Sequence, residues 1–406
     1  MNEALVFGLL FSAIACGFWL GRRGRSPAVQ GTGKLPTQYY RGLNYLLDGR
    51  PDGAVDHFIS ALEVSSETLE THIALGNVLR RRGEVARAIR IHENLLARPD
   101  LPVEQMHIAH LELARDYITA GLLDRAERLL LDLVAESDEQ RDVSRQHLIE
   151  IYRSESEWRR AIDEAHALLP RKSLLRASTP GPLLSGQPVQ SQMAHFYCEL
   201  AVEQLAKNDV NDARSMLRRA LESDPGCVRA SLELGRLEGA SGDHRAAIKA
   251  LTRVIEQDAD FLPEAIPTLR ECYAALNEES EFSSYLRSCL DRHPSTPLVI
   301  AVADDILRDQ GAGEARKFLA SRLAQVPSLR GLLRLIRLQQ PERASAEKDL
   351  TESSVSMLSV LLEKLIRERP AYRCEHCGFS AKHLLWFCPG CKYWGTFRTI
   401  RTTEAE

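Results

Sequence analysis

Residues 72–96, HIALGNVLRRRGEVARAIRIHENLL, decide the fold because they repeat a pattern that the chain carries 34 residues earlier. The matching positions are Gly42, Gly49 and Ala54, then Gly76, Gly83 and Ala88. Thirty-four residues is the period of the tetratricopeptide repeat, a helical hairpin of helix A and helix B. In that hairpin a small residue lets the helices approach, a glycine or polar residue makes the turn, and an alanine permits close packing of helix B. The stretch therefore predicts an array of such hairpins.

The same frame continues through most of the chain. Further units are marked by Ala114, Tyr117, Gly121 and Ala126, by Ile149, Tyr152 and Ala161, by Ala213, Ala220 and Pro225, by Gly235, Gly242 and Ala247, and by Ala315. The weakest unit spans residues 261–295, and after Pro327 only apolar helix signals remain, at Leu332–Leu338 and Val355–Ile366. The pattern predicts a mainly α fold, a tetratricopeptide α-solenoid whose stacked hairpins leave a groove for a partner.

An insertion interrupts the array. Ala161 and Ala213 lie 52 residues apart, and the excess of 18 falls in a stretch rich in Pro, Gly and Ser, RKSLLRASTPGPLLSGQPVQ, that follows Pro170. Such composition favours a loop or hinge. We therefore divide the body into a first repeat set, residues 37–169, an insertion, residues 170–190, and a second set with the last helix, residues 191–369.

Four cysteines near the C-terminus form two C-x-x-C pairs ten residues apart: Cys374, Cys377, Cys388 and Cys391. Two such turns can place four thiolates around one metal ion, iron or zinc. Two disulfides or a coincidence of spacing are the alternatives that the sequence leaves open. Since four protein sulfurs fill a tetrahedral shell, we expect a structural site rather than a catalytic one.

Residues 370–406 form a small metal-binding tab in this interpretation. The ten residues between the cysteine pairs are too few for a core of their own, so the ion is expected to fold the tab. We expect Trp386, Phe387 and Trp394 to shield the sulfurs and to dock the tab on the last helix. His376 and His383 lie within the tab and could replace a ligand, although four thiolates suffice.

The N-terminus carries an apolar segment. Ala4–Leu20 comprise 17 residues without a charge, which is about 25 Å of helix and the short end of what crosses a bilayer. Positive charges, Arg22, Arg23, Arg25 and Lys34, follow it directly. The positive-inside rule then predicts a single-pass anchor, residues 1–21, a basic linker, residues 22–36, and a body on the cytoplasmic side. The alternative, a cleaved signal peptide, expects basic residues before the apolar stretch.

Composition narrows the class of function. The net charge of −4 gives no electrostatic reason to bind nucleic acid. No nucleophile elbow, phosphate loop, H-E-x-x-H or dinucleotide fingerprint occurs at a usable position, so we do not expect an enzyme. The remaining cysteines are expected to be buried reduced thiols, as in cytosolic proteins: Cys16, Cys198, Cys227, Cys272 and Cys289.

The combination of these parts resembles one family. RGLNYLLDGRPDGAVDHF from Arg41, the stretch from His72, AHFYCELA from Ala194, YRCEHCGF and LLWFCPGCKYWGT are similar to patterns of the lipopolysaccharide assembly protein B family. The resemblance covers nearly the whole chain, and it implies a rubredoxin-like fold for the tab. The insertion after Pro170 is longer than this family usually carries.

The resemblance also implies a function and partners. Members of this family are expected at the cytoplasmic face of the inner membrane, as adaptors that regulate lipopolysaccharide synthesis. The implied partners are a membrane-anchored ATP-dependent protease of the FtsH type and LpxC, the deacetylase that commits material to lipid A, besides other inner-membrane lipopolysaccharide proteins. Two alternatives stay open, a scaffold for lipopolysaccharide synthesis enzymes and a rubredoxin-like electron-transfer protein.

Overall fold

The computed structural model describes residues 40–42, 44–45, 69–99, 101–170, 182–339 and 350–400. The chain divides into two compact units with a boundary between Ser144 and Arg145. The predicted anchor and linker, residues 1–36, lie outside the described residues, as does Cys16. Within the described ranges, no helix has both the length and the apolar character required to span a membrane.

The first unit is built from helical hairpins. Over residues 69–136 its helices are α1 (Leu69–Arg81), α2 (Val85–Leu96), α3 (Val103–Thr119) and α4 (Leu123–Glu136). A buried polar network joins the two hairpins: Arg80 reaches Glu112 at 2.7 Å and Asp116 at 2.8 Å, and His92 Nδ1 lies 2.6 Å from Asp116 Oδ2. Because buried charges are tolerated only when paired, this network fixes how the hairpins stack.

α5 (Arg141–Ser154) crosses the unit boundary, and the second unit continues the repeats. Its helices are α6 (Trp158–Leu168), α7 (Val189–Ala206), α8 (Val210–Ser223), α9 (Val228–Ala240), α10 (His244–Thr252), α11 (Val254–Gln257), α12 (Leu262–Ala275), α13 (Glu279–Arg292), α14 (Thr296–Asp309), α15 (Ala312–Gln325), α16 (Leu329–Gln339) and α17 (Leu350–Glu368). A 3₁₀ turn, Ala259–Phe261, precedes α12. The helices predicted at Leu332–Leu338 and Val355–Ile366 are confirmed as parts of α16 and α17.

The turns between helix A and helix B share one backbone feature. Each has a residue with positive φ, and these residues are Gly83, Gly121, Ser156, Asn208, Gly242, Asn277 and Gly311. At six of them the following amide donates to the carbonyl five residues back, for example Glu84 to Leu79 and Asp243 to Glu238. This is the Schellman arrangement that ends a helix on a left-handed residue. The predicted turn glycines 83, 121 and 242 therefore end helix A.

The burial of the predicted helix B alanines agrees with close packing of the two helices of each hairpin. All those described are fully buried: Ala88, Ala126, Ala161, Ala213, Ala247 and Ala315. In the unit at 261–295, which has the weakest sequence signal, Phe282 of α13 is buried instead. A methyl group on Gly235 of α9 would overlap Leu251 of α10, so that glycine allows the two helices their close approach.

The described part of the insertion is ordered. Leu183–Leu184 (β1) and Gln187–Pro188 (β2) form an antiparallel hairpin, with Ser185 and Gly186 at its tip in positive φ. Ser185 Oγ donates to Glu150 Oε1 of α5 at 2.8 Å. Helix α7 then begins at Val189. The sequence indicated a loop here, and the structure adds a hairpin held against the repeats.

Candidate metal centre and its docking surface

The four predicted cysteines meet at one point. Their Sγ atoms all lie within 4.8 Å of one another. Cys374 and Cys391 are 3.7 Å apart, and Cys377 and Cys388 are 3.6 Å apart. A tetrahedron with metal–sulfur bonds of about 2.3 Å has sulfur–sulfur edges of about 3.8 Å, whereas a disulfide needs about 2.05 Å. The sulfurs are therefore spaced for a single ion and not for two disulfides.

The tab folds as a small sheet with two matching turns. β3 (Tyr372–Cys374) pairs with β4 (Ser380–Ala381) on one side and with β5 (Phe397–Thr399) on the other, both antiparallel. The first turn is closed by the amides of Gly378 and Cys374, which bond to Cys374 O and Phe379 O at 2.9 and 2.8 Å.

The second turn repeats this pattern. The amides of Lys392 and Cys388 bond to Cys388 O and Tyr393 O at 2.8 and 2.9 Å. Gly378 and Lys392 occupy the corresponding left-handed positions, with φ of 78° and 61°. The two C-x-x-C segments are thus one structural element used twice, and each turn presents two sulfurs.

Hydrogen bonds prepare the buried sulfurs for a metal. Burial of the Cys374 thiol opposes its ionisation, but the Thr396 hydroxyl at 3.2 Å and the amides of Cys377 and His376 stabilise the thiolate and lower its pKa to about 6. The amides of Cys391 and Gly390 also point at the Cys388 sulfur, although burial is the larger effect and raises the pKa of that thiol. Since the thiolate is the metal ligand, these donors favour binding of a cation.

The metal centre has a covered side and an open side. Cys374 and Cys388 are buried, Cys391 is half-buried, and Cys377 is exposed beside Phe379. All four positions of a tetrahedral ion would be taken by sulfur, so the arrangement offers no position for substrate or water. An ion bound there would hold the tab in shape, and the centre meets solvent mainly at Cys377 and partly at Cys391.

Aromatic rings of the tab pack against the repeats of the second unit. Trp394 stacks on His195 of α7, with centroids 4.9 Å apart and planes at 14°, and it also meets Trp158 of α6 and Phe196 of α7 edge-on. Trp386 stacks on Phe261 at 5.4 Å. The prediction that Trp386, Phe387 and Trp394 dock the tab on the last helix is wrong. The two tryptophans contact α6, α7 and the 3₁₀ turn, and Phe387 lies under Arg153 of α5 at 5.3 Å.

The insertion hairpin takes part in the same contact. Gln187 Nε2 donates to Trp394 O at 2.9 Å, and Trp394 N donates to Gln187 Oε1 at 2.9 Å. The side-chain amide therefore pairs with the backbone of the tab as a neighbouring strand would. Gly186 lies against the Tyr393 hydroxyl, where a methyl group would overlap. The hairpin thus connects the tab to α5 through Ser185 and Glu150.

Polar contacts hold the other edge of the tab. Tyr372 OH donates to Glu264 Oε1 at 2.6 Å, and burial, this hydrogen bond and the Glu264 charge raise the pKa of Tyr372 to about 12. Arg398 pairs with Asp258 at 2.8 Å and lies over the Phe261 ring at 4.8 Å. Leu384 and Trp386 pack on the main core of the second unit. The tab is therefore an integral part of that unit.

Sequence reasoning found the ligands but not their surroundings. The C-x-x-C spacing is local, whereas Gln187, Glu264 and Asp258 are distant in the chain and carry no motif. One stretch that the family resemblance singled out, AHFYCELA, does contain two residues of these surroundings, His195 and Phe196.

The other described cysteines are buried and free, as predicted: Cys198, Cys227, Cys272 and Cys289. His376 stacks on Tyr393 at 4.0 Å and is not part of the four-sulfur cluster.

Family models built from known proteins agree with this architecture. A family model described as rubredoxin metal binding domain matches residues 372–399, and tetratricopeptide repeat models match residues 71–104 and 204–266. A solved tetratricopeptide repeat protein from Parabacteroides merdae aligns with 67% of this chain and 99% of its own, at 13% identity and a TM-score of 0.32. Fold and site together define a helical-repeat protein with a docked four-cysteine ribbon able to hold one metal ion.

Two curated relatives identify the family. Lipopolysaccharide assembly protein B of Escherichia coli K12 is 35% identical over 398 residues, which cover 98% of this chain and 98% of the relative. The protein of the same name from Haemophilus influenzae is 33% identical over 409 residues, covering 98% of this chain and 99% of the relative. The chain belongs to the lipopolysaccharide assembly protein B family.

Proposed function

We propose that this chain is an inner-membrane adaptor that limits lipopolysaccharide synthesis by presenting LpxC to an FtsH-type protease. The observation that carries the proposal is full-length membership of the lipopolysaccharide assembly protein B family, with helical repeats along both units. Repeat arrays of this kind bind partner chains along their stacked helices. The adaptor lowers the amount of the enzyme by delivering it, with no chemistry of its own.

The membrane anchor makes delivery to the protease efficient. With residues 1–21 in the inner membrane and the body on the cytoplasmic side, adaptor and protease share one surface, which raises their effective concentration. Removal of residues 1–20 is expected to release a folded protein that has lost most of its function in cells. A mature N-terminus beyond Leu20 would contradict this topology.

The metal tab supports delivery by completing the second unit. Its contacts with α6, α7 and the 3₁₀ turn reach several repeats, so one iron or zinc ion bound by Cys374, Cys377, Cys388 and Cys391 fixes their arrangement. A chain lacking residues 370–406 is therefore expected to fail in delivery even when its repeats are folded.

The test is a chase of LpxC after translation is blocked, in cells with and without this protein. Delivery predicts slower LpxC decay and excess lipopolysaccharide in depleted cells, and rescue by the full chain but not by the chain without residues 370–406. Equal decay in both strains would remove the adaptor proposal and leave a scaffold for lipopolysaccharide enzymes as the better account.

Electron transfer is a second candidate, favoured by the exposed Cys377 edge of the centre. It requires iron that cycles between two redox states. Replacement of iron by zinc, which has no accessible redox change, discriminates the two. Full rescue of LpxC decay by the zinc form would exclude electron transfer and would agree with the adaptor.

A further inference from the structure

The hydroxyl of Thr396 reaches the metal centre from outside the two cysteine turns. Its Oγ1 lies 3.2 Å from Sγ of Cys374, a residue that is 1% exposed. A cysteine that ligates a metal is a thiolate and carries no proton, so in this contact the hydroxyl donates and the sulfur accepts. Thr396 is therefore placed to donate to a ligand of the metal without being a ligand itself.

This donor is not supplied by the repeated turn. The first turn gives Cys374 two backbone amides, those of His376 and Cys377, and the second turn gives Cys388 a matching pair. Thr396 directly precedes strand β5 and adds a third donor at Cys374. Donors of this kind stabilise the negative charge that four thiolates bring to one ion, and loss of one typically lowers metal affinity by about 10–100-fold.

Strand pairing holds Thr396 beside the sulfur. The amide of Glu375, the neighbour of Cys374, donates to Thr396 O at 2.9 Å. Phe397, the next residue along the chain, pairs with Cys374 in the sheet of the tab. The backbone on both sides of the contact is therefore hydrogen-bonded, which fixes the direction of the hydroxyl.

The two residues before Thr396 belong to the contact between the tab and the repeats. Trp394 exchanges two hydrogen bonds with Gln187 and stacks on His195 of α7. Gly395 has φ of 64°, and a Cβ atom at this position would lie 3.4 Å from His195 Nε2. Since the three residues are consecutive, a displacement of Trp394 from its partners also displaces the hydroxyl that contacts the sulfur.

We propose that Thr396 is a positioning residue of the metal centre, whose hydroxyl donates to the Cys374 thiolate and makes retention of the metal depend on docking of the tab against α7. Docking also supports the fold of the tab as a whole, and metal binding is coupled to that fold. Docking therefore acts on metal affinity by two routes, and Thr396 carries one of them. By linkage the effect is reciprocal, so loss of the metal loosens the docking contact to the same extent.

Competition for zinc between the full chain in detergent and a chromophoric chelator tests the role of the hydroxyl. Thr396→Val keeps the shape of the side chain and removes the hydroxyl, so the zinc affinity is expected to fall about tenfold. Thr396→Ser keeps the hydroxyl and is expected to restore most of the affinity. Ser380→Ala is the matched control, because the Ser380 hydroxyl donates to the Gly378 carbonyl of the tab, and it is expected to bind zinc like the wild type. Equal zinc affinity in Thr396→Val and the wild type overturns the proposal.

Cobalt in place of zinc distinguishes a donor to sulfur from a general loss of fold. A thiolate that loses its donor is richer in electron density, so the sulfur-to-cobalt charge-transfer band of Thr396→Val is expected to move to longer wavelength. The visible d–d bands, which report a tetrahedral shell, are expected to stay in place. Thr396→Ser is expected to keep the wild-type charge-transfer band. The same charge-transfer band in all three proteins would show that the hydroxyl does not act on a ligand, and the proposal would fail.

Gln187→Leu tests the link to docking, because it removes the two hydrogen bonds to Trp394 without a change in the tab. It is expected to weaken zinc binding in both backgrounds, but about threefold more in the wild type than in Thr396→Val, where the hydroxyl route is already lost. Equal weakening in the two backgrounds would show that docking acts on the ion only through the fold of the tab, and it would overturn the link. Because these measurements involve no partner, their failure leaves the adaptor proposal untouched.

Discussion

Gln187 contacts Trp394 with both ends of its side-chain amide, across 207 residues of sequence. Replacing it by leucine removes both hydrogen bonds and leaves the buried Trp394 backbone without these partners, which costs about 1–3 kcal/mol of docking free energy. We expect Gln187→Leu to speed hydrogen exchange throughout residues 372–399. Gln187→Glu keeps the acceptor and loses the donor, so its effect is expected to be intermediate. Equal exchange in all three proteins would contradict this role of Gln187.

His195 makes the same interface sensitive to pH. Its burial, with the nearby Arg229 charge, lowers the pKa of the ring to about 3. A histidine in the unfolded chain has a pKa near 6.5. Between about pH 3 and pH 6.5 the unfolded chain therefore binds more protons at this residue than the folded chain does. The contribution that neutral His195 makes to the stability of the second unit is therefore fully present above about pH 6.5 and is lost progressively as the pH falls towards 3.

A variant isolates this effect. His195→Phe keeps a ring against Trp394 but cannot take up a proton. We expect the thermal midpoint of the wild type to fall further between pH 7.5 and pH 5.0 than that of His195→Phe. Because the cysteine ligands are common to both proteins, their titration cancels in the comparison. Identical falls would show that His195 is not the group responsible.

Residue-level prediction from sequence succeeded where the chemistry is local. Cys374 and Cys377 are three residues apart, so their spacing alone indicates two sulfurs on one turn. Trp394 is different, because the ring that it stacks on belongs to α7, about 200 residues away. The apolar pattern of the sequence predicts that a tryptophan is buried, but it does not identify the distant residue against which the ring packs.

At the scale of elements, the helical hairpins were predictable because their turns and alanines repeat. The period was visible where the turn residue is glycine, as at Gly83, Gly121 and Gly242. The period was harder to recognise where Ser156, Asn208 or Asn277 takes the same left-handed conformation. Serine and asparagine are common outside such turns, so they mark a turn less clearly than glycine does. The hairpin of the insertion escaped prediction because strands of two residues have no periodicity.

The turn positions allow a direct test of this account. Gly242 has φ of 84° and open space around the place of a side chain, so Gly242→Ala introduces backbone strain alone, about 1 kcal/mol. Gly242→Asn is expected to cost much less, because asparagine already serves at Asn208 and Asn277. Thermal unfolding measures the difference, roughly 2–4 °C for each kcal/mol in a unit of this size. Equal losses for alanine and asparagine would mean that the turn does not govern stability here.

At the scale of the whole molecule, the metal tab ties distant repeats together. Three of the four tryptophans, Trp158, Trp386 and Trp394, lie at the contact between tab and repeats, and the fourth is Trp19. Their fluorescence therefore reports docking. The repeats keep a large core of their own between Val228 and Leu338, whereas the tab has only a few buried residues around Cys374, Cys388 and Phe397.

Metal loss should separate the two parts, because thiolate ligation couples folding of so small a tab to the ion. We expect Cys388→Ser, or removal of the metal by a chelator, to shift tryptophan emission to longer wavelength while the far-ultraviolet helix signal stays close to that of the wild type. Cys289→Ser, which changes a buried cysteine away from the tab, is the matched control and should leave the emission maximum in place. A loss of helix signal in parallel with the emission shift would show instead that the repeats of the second unit cannot fold without the tab. An unchanged emission maximum would show that the ion does not organise the docking surface.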